Sequence, residues 1–171
     1  MFWKRKVKRE LLLWTEHVLS KPSPFFNGLP SCPFAQKAWR DRKVKVTFGT
    51  PGQINKHMIN WDDSINLIIH VIKDKKHFST LDWVCEIENK KHKAKDLFAM
   101  EFLPGTGVES GQPDDELEDW PHLVDEEYAM VFIQRLADLK KASQTLDNKG
   151  YYDNCSPQFK NYVSERNEYA R

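Results

Sequence analysis

The sequence predicts an α/β domain: a small, mainly parallel sheet of three strands, with a fourth allowed, flanked by helices. Three observations predict it. Short runs with strand character at 43–48, 65–72 and 97–103 are separated by segments whose apolar residues recur at helical spacing. The middle run, Ile65 to Ile72, is almost continuously apolar, as expected of a strand covered on both faces. Strand–helix–strand–helix–strand order implies parallel pairing through right-handed crossovers, with 65–72 in the middle.

The chain of 171 residues is read as a single domain, 1–171, large enough to bury a core. Hydrophobic residues make up 40% and charged residues 30%, which argues against wholesale disorder. The formal net charge is +1, yet residues 1–45 hold eleven Lys/Arg against three Asp/Glu, a balance of +8. Residues 109–127 hold nine acids and no Lys or Arg. With so strong an acidic counterweight, nucleic acid ranks low as a partner. Three widely spaced cysteines, 32, 85 and 155, fit neither a disulfide framework nor a cysteine zinc site, and a reducing cytoplasm suits them best. Leu11-Leu12-Leu13-Trp14 is cut short by Thr15-Glu16-His17, too early for a signal peptide, and no stretch approaches membrane-spanning length.

Residues 2–19 are expected to form a helix, because Trp3, Val7, Leu11, Trp14 and Val18 fall on one stripe. Its Lys4, Arg5, Lys6, Lys8, Arg9 face is read as the solvated side of a helix packed on the sheet, in preference to a surface lying on an anionic membrane. Ser20 to Ser31 is a proline-rich connector whose Phe25-Phe26 pair is expected to tuck beneath it. A short helix follows from Phe34 to about Arg42. Lys43 to Phe48 alternates like a strand, and Lys45 and Thr47 suggest a sheet edge. Thr50-Pro51 starts a helix with Ile54, Met58 and Trp61 inward, and Ser79 caps the next, with Leu81, Val84 and Cys85 inward. Leu97 to Leu103 is the third strand. An acidic loop at 105–119 is too polar to bury. A helical pair spans 121–169: Val124, Tyr128, Val131, Phe132, Leu136, Leu139 and Leu146 keep helical spacing over 121–147, and Ser156-Pro157 opens the last helix.

The stretch that packing explains least is Cys32-Pro33. Proline is favoured at the first helical position, which puts Cys32 at the N-cap, where Ser, Thr, Asp or Asn would serve better. Free amides and the positive helix end would lower the pKa of a thiol there, and Lys37, Arg40 and Arg42 add positive charge nearby. The alternative is a small buried hydrophobe that plugs a loop. His57, on the helix after Thr50, is the candidate base partner for Cys32, with Pro33 and Arg40 as substrate contacts.

Two resemblances attach to these residues. Cys32-Pro33-Phe34-Ala35-Gln36 resembles the Cys-Pro-Phe-Ala segment of omega-like glutathione transferases and other thioredoxin-fold proteins. That likeness implies a cysteine capping the first helix and forming a mixed disulfide with glutathione. The wider run Gly28-Leu29 to Cys32-Pro33-Phe34-Ala35 is similar to a bacterial family of unknown function, which implies a leading helix with Trp and then alternating strands and helices, but no activity.

Other candidates are weaker. The Gly105-Thr106-Gly107 turn lies at a strand's carboxyl end, where parallel sheets usually bind ligands, so Thr106 and Gly107 are candidate contacts for an anion; a plain turn competes. Asp114, Asp115, Asp119 and His122 are the candidate ligands of a divalent metal, against the plainer reading of a solvated acidic loop. His70, inside the apolar strand, reads as a hydrogen-bonded core residue. The sequence names no cofactor. It leaves three functional classes open: thiol-dependent redox or transferase chemistry at Cys32 on a small thiol or anionic molecule, a non-catalytic module whose acidic loop meets a protein partner, and a metal-dependent enzyme.

Overall fold

The computed structural model describes residues 2–104 and 127–169. Helix α1 (Phe2–Trp14) opens the fold with Val7 and Leu11 fully buried. The hydroxyl of buried Thr15 donates back to the Leu11 carbonyl at 2.9 Å, and from Thr15 to Leu19 the helix continues as a wider π-type turn. A side chain competing for backbone acceptors is a usual companion of such a change. Next comes a two-stranded hairpin, β1 (Pro22–Ser23) and β2 (Leu29–Pro30), and then the six-residue helix α2 (Ala35–Arg40).

The central sheet holds β3 (Val44–Phe48), β4 (Leu67–Ile72), β5 (Leu97–Phe102) and β6 (Ala129–Arg135) in the order β3-β4-β6-β5. β3 is parallel to β4, whereas β6 is antiparallel to both β4 and β5. The expected mainly parallel three-stranded sheet is therefore corrected to a four-stranded mixed one. β5 points the same way as β3 and β4, but β6 enters between it and β4. As expected, β3 is an edge and β4 is interior.

The second correction concerns the helix expected over 121–147. Residues 129–135 are strand, and helix α5 begins only at Leu136, running to Asp147. Ala129 to Ile133 is an unbroken apolar run, buried except for half-buried Phe132, and such a run satisfies helical spacing as easily as strand spacing. Residues 105–126, including the expected acidic loop and the start of that helix, lie outside the described residues. The C-terminal helical pair is α5 with α6 (Pro157–Glu168), which starts as expected at Ser156, whose hydroxyl accepts from the Phe159 N–H at 3.1 Å.

Helices cover both faces of the sheet. Ile68 and Ile72 of β4, Leu97 and Ala99 of β5 and Val131 and Ile133 of β6 pack on α3 (Gln53–Ile59) and α4 (Leu81–His92). The opposite face, Ile69, Val71 and Met130, receives α1, with Trp39 of α2 beside it. Phe25 and Phe26 form a third core with Leu146, Tyr151 and Cys155, so the proline-rich connector is an ordered part of the fold. Among the described residues, no helix is long and apolar enough to cross a membrane.

Candidate functional site

Cys32 is placed by a loop pinned at several points. Pro24 to Phe26 make one 3-10 turn, capped by Ser23, whose hydroxyl accepts from the Phe25 N–H at 3.2 Å. The chain then reverses through Asn27 (φ 53°) and Gly28 (φ 76°), left-handed conformations that Gly, and after it Asn, tolerates best. Asn27 also holds the loop in place: its Nδ2 donates to the Gly150 carbonyl at 2.6 Å and to Asp153 Oδ2 at 3.1 Å. Asn154 Nδ2 donates to the Phe25 carbonyl, and the Phe26 ring stacks on Tyr151 with centroids 4.3 Å apart. The Tyr151 hydroxyl donates to the Ser31 carbonyl at 2.5 Å, and the Cys32 N–H donates to Leu19 O at 2.9 Å.

The Cys32 carbonyl closes a turn by accepting from the Ala35 N–H at 3.2 Å, and the N–H groups of Phe34 and Ala35 also act on its sulfur. The expected cap is corrected: α2 begins only at Ala35 with Phe34 at its N-cap and no capping side chain, so Cys32 lies one turn before the helix with the two amides near its sulfur. Their effect is to lower the thiol pKa, but burial raises it by more, so the thiol sits above its ordinary value. The expectation of an acidified thiol is corrected accordingly. A six-residue helix sums few peptide dipoles, and burial of the sulfur disfavours its charged form. Of the three cysteines, Cys32 alone is not buried. Pro33 is half-buried beside it, and exposed Arg40 lies in the last turn of α2, where Lys37 pairs with Asp41. Thr106, Gly107, Asp114, Asp115, Asp119 and His122 lie outside the described residues.

His57 does not join Cys32. It stands on α3, on the other side of the sheet from α1 and α2, and its Nε2 lies 3.2 Å from Thr47 Oγ1 and 3.3 Å from His70 Nδ1. Thr47 Oγ1 and His70 Nδ1 are 2.9 Å apart, while His70 Nε2 donates to the Thr50 carbonyl at 3.0 Å. That last bond fixes the tautomer. His70 Nδ1 must accept, the Thr47 hydroxyl donates to it, and His57 Nε2–H donates to the Thr47 oxygen. Desolvation, His70 and the Lys45 and Lys56 cations hold His57 down at about 4, and burial lowers His70 as well. Both rings are therefore neutral near pH 7.

Strand register explains the cluster. Thr47 pairs with His70, His70 with Val131 and Val131 with Glu101, forming one row across the sheet on the α3–α4 side. At its far end the Glu101 carboxyl interacts with the Cys85 thiol, and burial raises the pKa of both. His70 is hydrogen-bonded and buried, as its place in the apolar run suggested. The partnership of Thr47 with His70 went unread, although both fall on the same pleat phase of their strands. A groove of about 300 Å³ between α5 and α6, lined by Ser143, Asp147, Tyr152, Lys160 and Val163 among others, includes none of the expected site residues. Among the described residues, no three His, Cys, Asp or Glu side chains are grouped as a metal would need. Comparison with protein families, with curated proteins and with solved structures returns no match.

Proposed function

We propose that the chain carries out thiol-dependent chemistry at Cys32, of the thiol–disulfide exchange type, on a small disulfide such as that of glutathione. The observation that supports this most is the pair of amides, Phe34 and Ala35, acting on the sulfur of Cys32, the one cysteine residue that is not fully buried. In the step, Cys32 gives up its proton and its sulfur attacks one sulfur of the disulfide. A new S–S bond forms, the old one breaks, and the departing thiolate takes up a proton from water. Because burial raises the thiol pKa, the reaction is slow at neutral pH and quickens as the pH climbs past the free-thiol value of about 8.5.

The raised thiol pKa also favours a second reading, a binding module in which Cys32 serves packing. One experiment separates the two. The folded chain is incubated with oxidised glutathione over a pH series, and adducts are mapped by mass spectrometry. The catalytic reading expects a single adduct on Cys32, absent from Cys32→Ser, with Cys85 and Cys155 unmodified. A folded chain that stays unmodified throughout, while the urea-unfolded chain reacts fully, supports the module.

A further inference from the structure

Helix α1 buries one face and presents a second of different character. Val7 and Leu11 are fully buried against the sheet, with Trp3 packed beside them. With about 100° between successive residues, the opposite arc carries Phe2, Arg5, Lys6, Lys8, Arg9, Leu12 and Leu13, all exposed. Phe2 is 89% exposed, Leu12 37% and Leu13 39%, so three apolar side chains stand among four cations. Between Phe2 and Trp14 no acid lies within the arc. Glu10 sits at its border, 3.5 Å from Lys6, the Glu127 carboxylate reaches the same Lys6 at 4.0 Å, and Glu16 follows two residues after Trp14 in the π-type turn. On the flanks the Lys4 ammonium sits over the Phe48 ring and that of Lys73 over Trp3, which widens the positive surface.

We propose that this outward face of α1 docks on the surface of an anionic lipid bilayer. Cations draw the helix to acidic headgroups, and Phe2, Leu12 and Leu13 enter the boundary between headgroups and acyl chains. The apolar residues favour a bilayer over nucleic acid, because a phosphodiester backbone offers leucine nothing to enter. The inner face keeps its packing on the sheet throughout, so docking requires no unfolding. The inference is independent of any chemistry at Cys32.

Co-sedimentation of the full chain with vesicles tests it. Vesicles of phosphatidylcholine with phosphatidylserine should pellet the protein, vesicles of phosphatidylcholine alone should not, and binding should weaken as salt rises. Arg5→Glu/Arg9→Glu should lose more than about tenfold in partitioning. Leu12→Ser/Leu13→Ser should lose affinity while keeping the salt dependence. All four positions are on the exposed face, and matching thermal melts confirm that the variants fold; should either fail, Arg5→Gln/Arg9→Gln repeats the test with the charge merely removed. Equal binding to both vesicle types, or to neither, overturns the proposal. So does binding to duplex DNA as tight as to the acidic vesicles and indifferent to the leucine substitutions.

Discussion

At the scale of single residues, Asn27 and Tyr151 matter more to the cysteine loop than the residues that drew attention to it. Asn27 combines a left-handed backbone with two side-chain bonds to the 150–153 segment. Asn27→Ala should therefore destabilise the fold by about 1–3 kcal/mol, from lost hydrogen bonds and an unfavourable φ together. Asn27→Gly relieves only the backbone part and should fall between the two; urea unfolding of the three proteins checks that order. Tyr151→Phe removes the donor to the Ser31 carbonyl and should cost about 1 kcal/mol by the same measurement. The sequence announced Cys32-Pro33-Phe34-Ala35 as a helix start with amides near the sulfur, and the amides are there. Its plainer alternative, a small buried side chain plugging a loop, is the one that burial of the thiol favours, and Tyr151, close enough to interact with Cys32, lies well over a hundred positions away in the chain. A reading based on neighbours in sequence sees the local attraction but cannot weigh the desolvation against it.

At the scale of elements, legibility depended on how many sides of a segment are buried. α1 has one buried face, and the apolar residues of the edge strand β3, Val44, Val46 and Phe48, all pack on the α1 side, so periodicity placed both. β6 is covered on both faces, so its pattern carried no period and was absorbed into the helix that follows it. Inserting β6 between β4 and β5 puts β5 at the sheet edge, and the fold closes part of that edge with a side chain. Buried Asn89 of α4 accepts from the Ala99 N–H at 2.7 Å and donates to the Ala99 carbonyl at 2.9 Å, the two bonds that an added strand would make. Asn89→Ala should cost about 1–3 kcal/mol by leaving both groups unsatisfied in a dry site. It should also make the protein prone to self-association, seen by light scattering at rising concentration. Asn89→Asp keeps the acceptor and repels the carbonyl, so it should rescue little.

For the whole molecule, buried histidines govern how stability depends on pH. Burial is the leading cause that lowers His57, to about 4, and His70; it lowers His92 too, against the pull of Glu88. Once the chain unfolds these rings return to about 6.5 and bind protons that the folded protein refuses. The unfolded state then carries more protons, so stability is complete above pH 6.5 and falls as the pH drops toward the folded values. Glu101 works the other way. Burial raises its folded pKa, and the stability it lends at low pH is lost as the pH rises above its unfolded value. Three depressed histidines outnumber one raised carboxyl. The exposed Asp41, Asp62 and Asp74, all lowered, act only below that window. The melting temperature should therefore fall steadily from pH 6.5 to pH 5, with calorimetry in buffers of different ionisation heat showing net proton uptake on unfolding. His57→Asn should remove up to about one proton from that uptake, since one titrating ring is gone. A melting temperature flat across the interval would show that the Thr47, His57 and His70 cluster is hydrated enough to titrate normally, and the neutral hydrogen-bonded chain drawn from its geometry would then have to be abandoned.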